Sequence, residues 1–431
     1  MKVLIVGSGG RESAIAISII TSQMKMLYAF KNITSNINKY NISDKEKSIQ
    51  RLHNFLNQAD FLEFRNQYIN EVDFDDEVLG GYLNSDYIVD DLYCIPSNPQ
   101  ISSLCKSFNI STSNDEIKKF CKDNNINFVI IGPEDPLANG LTDELEKEGV
   151  KVFGPSKLAA QIESSKIFMK DFCKEFNIPT ARYNTFYKDK DSKEQIMSFA
   201  KDISNNGEKQ IVIKTNGLAA GKGVAICKNL IEFEKELDEY FEGKFGLASQ
   251  SVVIEEFMEG REVSFFALCD GYSYQTIGYA CDHKKLLDNN QGPNTGGMGT
   301  YSYKKILSKE QIIEVEKNII SPLVNGMVER KHPYYGVIFA GLMLTNNGIK
   351  LIEYNARFGD PETQSILPLL QNNFMEIAMS TTKNTKKTLK DITIKLDDNA
   401  CVNVVCVSGG YPDSYKKGFV VNINGDYFGN A

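Results

Sequence analysis

The chain has 431 residues, a net charge of −8, and 42% apolar and 24% charged residues; that is length and composition for several cores in roughly two to four globular domains. Without a long basic run, this charge excludes a nucleic-acid or anionic-membrane surface as the main business of the chain, and no run of about eighteen apolar residues offers a bilayer span. Nine scattered cysteines without a CxxC pair read as reduced thiols of a cytoplasmic protein, and His53, His283 and His332 lie too far apart in sequence to suggest a histidine-built metal site.

Met1 leads directly into a strand, leaving no room for a signal or transit peptide. Residues 2–20 read as strand KVLIV, tight turn GSGGRE and helix SAIAISII. Gly7, Gly9 and Gly10 open a helix N-terminus, a natural seat for phosphate. A dinucleotide fingerprint needs a third glycine where Glu12 stands and an acid about twenty residues on, and neither is present. A sugar-phosphate seat and a structural turn both stay open. From about 32 to 91 Asn, Asp, Lys and Glu dominate, with Leu52, Phe55, Leu56, Phe61 and Phe64 at roughly helical spacing. The expectation is an inserted, partly helical segment on the surface. From Tyr93 the order is helix DEIKKFCKDNN, strand FVIIG with GPEDPLANG, helix LTDELEKEG, strand VKVFGPS and helix AAQIESSKIFMKDFCKEF. This alternation predicts a parallel sheet with helices on its faces and ligands at the strand carboxyl ends, where GSGGRE and GPEDP lie.

After Pro179 comes IVIKTNGLAAGKGVAI, two β-branched runs around a glycine-rich loop. Gly217, Gly221 and Gly223 let amides approach an anion, and Lys214 and Lys222 add charge beside them. The glycine spacing is one residue short of a P-loop, Gly223 stands where Ser or Thr would be, and a strand follows. The stretch reads as a polyphosphate cover, with a flexible hairpin and solvated lysines as the alternative. In SVVIEEFMEGREVSFFALCDG, the run Glu255, Glu256, Phe257, Met258 passes from polar to apolar where a strand leaves one lobe. It can offer backbone groups to an adenine edge, or it is a plain strand-to-turn. DHKKLLDNNQGPNTGGMGTYS is a further Gly-, Asn- and Thr-rich loop. In GIKLIEYNARFGDPETQ, Glu353 and Asn355 lie at i and i+2 on one strand face and present hard oxygens, with Arg357 behind them. They suit a magnesium-bridged phosphate or a surface salt-bridge cluster. Residues 400–408 and 419–423 read as two strands around a turn, the second with an open edge.

The ordered set GSGGRE, GPEDPL, GPS, IPTA, GLAAGKGV, VIEEFMEG, DHK, GPNTGGMG, FAGLM, IEYNARFGDPETQ and SGGYP resembles the phosphoribosylamine–glycine ligase (glycinamide ribonucleotide synthetase) family. GPNTGGMG and NARFGDPET are specific to it. The resemblance implies an α/β protein of three parts. A parallel N-terminal domain (1–162, insertion about 32–91) precedes an ATP-grasp domain (163–398) with a glycine-rich hairpin lid at about 180–258. Residues 399–431 would begin a β-rich C-terminal domain that is cut short, so that an oligomer or a fusion partner would cover its strand edge. The implied reaction joins glycine to 5-phosphoribosylamine through glycyl phosphate, with ATP and Mg2+ or Mn2+. By resemblance Lys166, Lys214, Gly221, Lys222 and Gly223 face ATP, Glu255 to Met258 form the adenine hinge, and Glu262 takes the ribose. Glu353 and Asn355 hold the metal, while Gly9, Gly10, Asp282, Lys284, Asn294, Thr295, Gly296, Arg357 and Asp360 surround the substrates. Lys222, Arg357 and Asp282 would act in catalysis, which here needs alignment and charge neutralisation rather than a protein nucleophile. Ser13 stands where the family has His, and the FAGLM strand carries no third metal carboxylate. The alternatives are another ATP-grasp carboxylate–amine ligase or a non-catalytic ATP-binding fragment of a longer protein.

Overall fold

The structure, a computed structural model, describes residues 1–32, 45–57, 76–219 and 223–420. Five strands, β1 (Lys2–Val6), β2 (Asp91–Ile95), β3 (Lys106–Ser107), β4 (Phe128–Ile131) and β5 (Lys151–Phe153), form a parallel sheet in the order β3-β2-β1-β4-β5. The strands read as unbroken apolar runs because both faces are covered: Val3 and Ile5 enter one core, Leu4 and Val6 the other. Helix α1 (Gly10–Asn32) is the one helix among the described residues long and apolar enough, by length and composition, to cross a membrane. Within this fold 67% of its apolar window is buried, and Ile15, Ile19, Met26 and Phe30 form part of the first core.

The expected partly helical segment is a helix where it is described, with Glu46, Lys47, Gln50 and Asn54 exposed and its other face packed on the same core. Helix Lys45–Leu56 turns Leu52, Phe55 and Leu56 inward against α1, and Val78, Tyr82 and Leu83 join them. Arg51 anchors the helix with two bonds to Asp90, at 2.8 and 2.9 Å, and the Met1 amine meets the same carboxylate at 2.6 Å. Phe61 and Phe64 lie outside the described residues.

The predicted hairpin is present as β7 (Ile211–Thr215) and β8 (Val224–Cys227). With β6 (Tyr183–Tyr187) and β9 (Ser251–Glu256) it makes an antiparallel sheet in the order β6-β9-β7-β8. Helices Lys193–Ile203, opened by a Ser192/Gln195 capping box, and Leu230–Phe241, capped by Asn229, cover one face through Ile196, Ala200, Phe233 and Leu237. Strand alternation sends Ile211, Ile213, Val252 and Ile254 into that core. Lys214 and Glu255 therefore share the opposite face.

The stretch 251–271, continuous in sequence, divides at Phe257–Gly260 between two sheets. β10 (Arg261–Asp270) belongs to the large antiparallel sheet with β11 (Tyr274–Asp282), β14 (Gly299–Ser302), β15 (Tyr335–Thr345), β16 (Gly348–Asn355) and β17 (Cys401–Val404), in the order β16-β15-β10-β11-β14-β17. A two-stranded ribbon of β12 (Lys285–Leu287) and β13 (Gln291–Asn294) stands between β11 and β14 in the chain. Residues 400–408 supply only the four-residue β17, which joins this sheet as an edge with Val402 and Val404 exposed. Phe419 and Val420 are exposed and not in a strand, and 421–423 lie outside the described residues.

Candidate functional site

The carboxyl ends of β1 and β4 meet the turn that follows β16. Gly9 and Gly10 press against that turn so closely that a Cβ on Gly9 would stand 2.8 Å from Asp360 Oδ2, and one on Gly10 would strike the Gln364 side-chain amide. Gln364 Nε2 donates to Asp360 Oδ1 at 2.7 Å. At the helix N-terminus, read as a phosphate seat or a structural turn, the chain supplies a carboxylate of its own to one amide. Glu12, 1% exposed, accepts from the Gly9 amide at 2.6 Å and from Arg11 Nε at 2.6 Å, and the Arg11 amide lies 3.4 Å from Asp360 Oδ2. Arg11 also donates to the Phe358 carbonyl at 3.0 Å.

Arg357 is gripped by two carboxylates that the sequence reading did not select. Its Nε lies 3.3 Å from Glu134 Oε2 and its terminal nitrogen 3.0 Å from Glu163 Oε1. The other Glu163 oxygen accepts from the Ala356 amide at 2.7 Å. Burial pushes the Glu163 carboxyl above its usual range despite Arg357, whereas at Glu134 burial is outweighed by Arg357, a backbone hydrogen bond and Arg11 together, which hold it below. Both acids stood in quoted motifs, GPEDP and QIESSK; an acid beside apolar helix residues was the available signal for Glu163.

On β16, Glu353 Oε2 pairs with Lys166 Nζ at 3.0 Å. Burial works to raise the Glu353 carboxyl, but Lys166, Lys214 and Lys284 outweigh it and lower it to about 2. Glu353 is therefore ionised across the physiological range. Asn355, two residues on, is nearly buried. Lys214 Nζ lies 3.0 Å from Glu255 Oε2 and donates to the Ile352 carbonyl at 3.4 Å. Glu255, 2% exposed, also takes the fully buried Lys170 at 3.1 Å. Its side chain is committed between two lysines, so residues 255–258 retain only backbone groups for a base edge. Glu256 accepts from Lys350 Nζ at 2.9 Å and from the Arg182 amide at 3.0 Å, and Phe257 and Met258 form the link from β9 to β10. The Gly223 carbonyl accepts from the Thr215 amide at 2.8 Å. Gly221 and Lys222 lie outside the described residues.

At the far side Lys284 Nζ lies 3.0 Å from Glu262 and 3.6 Å from Asp282. The GPNTGGMG stretch begins within β13, whose last residue Asn294 is exposed and faces Lys285 in the ribbon. Thr295 closes onto the Lys284 carbonyl through its amide (2.7 Å) and hydroxyl (2.9 Å), and Gly296 donates to the Tyr411 phenol oxygen at 3.1 Å. The field around Glu353 thus links Lys166, Lys214, Lys284 and Arg357, and Lys284 extends it to Glu262 and Asp282. Glu353 and Asn355 present oxygen donors of the kind a hard divalent ion would take. Among the described residues no cluster of three His, Cys, Asp or Glu could hold a metal by itself.

A parallel sheet, an antiparallel lid sheet and a large antiparallel sheet meeting at lysines and paired hard-oxygen donors define an ATP-grasp ligase. The family model described as "Phosphoribosylglycinamide synthetase, ATP-grasp (A) domain" matches residues 164–363, and the corresponding N domain matches 76–163. The phosphoribosylamine–glycine ligase of Brucella melitensis is 39% identical over 347 residues, which cover 80% of this chain and 79% of that protein. The trifunctional purine biosynthetic protein adenosine-3 of Bos taurus is 45% identical over 303 residues, 70% of this chain and 29% of that one. The crystal structure of a phosphoribosylamine–glycine ligase from Thermotoga maritima shares the fold, with a TM-score of 0.68 at 24% identity over 97% of this chain and 83% of that one. The chain belongs to the phosphoribosylamine–glycine ligase family.

Proposed function

We propose that the chain joins glycine to 5-phosphoribosylamine at the expense of ATP, giving glycinamide ribonucleotide, ADP and phosphate through glycyl phosphate, as a step in purine biosynthesis. The observation that carries this is the convergence on one turn and strand, 353–364, of an ionised Glu353 among three lysines, the clamped Arg357 and the Gly9–Gly10 turn.

In this reading Lys166 and Lys214 take the ATP phosphates, the 255–258 backbone takes adenine, and Glu262 takes the ribose. Glu353 and Asn355 hold Mg2+ or Mn2+, which supplies charge neutralisation on the transferring phosphoryl group. Arg357, fixed in direction by Glu134 and Glu163, presents its planar fork to substrate anion. Gly9, Gly10, Asp282, Lys284, Asn294, Thr295, Gly296 and Asp360 line the amino-acid and sugar-phosphate side. No protein nucleophile is required, because the glycine carboxylate attacks phosphorus and the phosphoribosylamine nitrogen then displaces phosphate.

We assign residues 1–162 to an N-terminal domain, 163–398 to the ATP-grasp domain and 399 onward to a further domain. All nine cysteines are free, which fits a cytoplasmic location. The Bos taurus relative, whose matching region is part of a longer trifunctional chain, fits a fused partner beyond β17. The test is ADP release measured with and without glycine and freshly made phosphoribosylamine. Release that depends on both supports the reading; release indifferent to either one rules it out.

A further inference from the structure

We propose that Tyr411 is a positioning residue for the amino-acid substrate, and that the segment from β17 to Asp413 is a wall of the binding site. This rests on the reading above that the GPNTGGMG loop receives glycine. Four consecutive loop amides have assigned acceptors. Thr295 N donates to the Lys284 carbonyl at 2.7 Å, Gly297 N to the Thr295 hydroxyl at 3.0 Å and Met298 N to the His283 carbonyl at 2.7 Å. All three acceptors lie in the loop or the strand end beneath it. The fourth, the exposed Gly296 N–H, depends on a residue 115 positions away, Tyr411.

The tail reaches the loop by a continuous path. β17 pairs with β14 so that Val404 lies opposite Gly299, and Val405 N donates to the Met298 carbonyl at 3.0 Å. A turn closed by Tyr411 N to Ser408 O (3.2 Å) and Asp413 N to Gly410 O (3.1 Å) then folds the Tyr411 ring back over Gly296. Tyr415 braces that ring edge-on at a centroid distance of 5.4 Å. On the other side Gly297 lies against Pro361, where an added Cβ would stand 2.5 Å from Cδ. The loop is thus held between the 360–361 turn and the tail. Its Gly296 peptide, directly after Asn294 and Thr295 and proposed with them to meet substrate, keeps its orientation through one phenol oxygen. Phe at 411 would keep the ring and remove the acceptor.

The experiment compares the full chain with its Tyr411→Phe and Tyr415→Phe variants by amide hydrogen exchange and by steady-state kinetics. In Tyr411→Phe the Gly296 amide should exchange about tenfold faster while Met298, bonded to His283, is unchanged. Half-saturating glycine should rise about five- to tenfold with half-saturating ATP unchanged. Tyr415→Phe, which touches no loop amide, should alter neither reading. Unchanged Gly296 exchange overturns the clamp. Faster exchange with unchanged glycine saturation overturns the substrate role, and parallel rises for glycine and ATP overturn it as well. A wild-type chain without glycine-dependent turnover would refute the proposed function instead, and exchange at Gly296 would still decide the clamp.

Discussion

The Tyr82 hydroxyl donates to the Gln371 carbonyl at 2.6 Å, and Asn373 Nδ2 returns a bond to the Gly81 carbonyl at 2.9 Å. These bonds tie the polar-looking early segment to the chain beyond the proposed metal strand. That segment is a structural member of the first core, with Leu52 completely buried.

Leu52→Ala should therefore cost about 2–5 kcal/mol of unfolding free energy, the range for emptying a packed leucine site. A surface leucine would change stability by less than about 0.5 kcal/mol. Urea unfolding of the two chains distinguishes the cases, and a loss within that smaller range would contradict the packed position of the helix.

The acid limb of stability should carry the signature of Glu353. Its carboxyl is lowered from 4.5 to about 2 in the folded chain. A depressed carboxyl stabilises the fold above its unfolded value and loses that contribution as pH falls through the folded one. The stability difference between wild type and Glu353→Gln should be largest above pH 4.5 and shrink toward pH 2. Thermal unfolding in metal-free buffer across that window is the check; a pH-independent difference would mean that the lysines do not hold the carboxylate ionised.

Asn355→Leu removes one of the two proposed oxygen ligands while keeping a side chain of similar size. The divalent-ion concentration for half-maximal activity should rise by about tenfold or more, since even supporting groups of metal sites are worth that much. An unaltered metal titration would remove Asn355 from the ligand set.

Alanine should replace glycine poorly. Under the proposed role of the GPNTGGMG backbone, a seat built for an amino acid without a side chain disfavours a β-methyl, although steric rejection of one carbon reaches only about tens of fold in kcat/KM. Equal ADP release with the two amino acids would favour a different carboxylate–amine ligase of the same fold.

Much of this architecture was legible because periodicity reports burial. Val3 to Val6 form an unbroken apolar run because the sheet is covered twice, and the β7–β8 hairpin follows from two β-branched runs around glycines. The 45–56 helix and its stripe of Leu52, Phe55 and Leu56 were legible from spacing, but that the stripe packs on α1 is a long-range fact that local pattern does not carry. Glu12 was read as a missing glycine; that its carboxylate occupies the helix terminus depends on side-chain geometry that no spacing encodes. Glu134 and Glu163 escaped selection because their partner, Arg357, lies about two hundred residues away. The sixth strand of the large sheet was seen as a strand, but its neighbour β14 could not be read from local pattern.

The Lys166–Glu353 pair has a thermodynamic consequence under the proposed roles. A divalent ion that takes Glu353 alone strands the Lys166 ammonium, and a polyphosphate that takes Lys166 alone strands the Glu353 carboxylate. When both arrive, each former partner has a new counter-charge and neither is left uncompensated. Metal and nucleotide should accordingly bind with positive cooperativity, each tightening the other by the same factor. The free nucleotide would then be a weak competitor of its own metal complex, and the internal ion pair would act as a device that selects the complex.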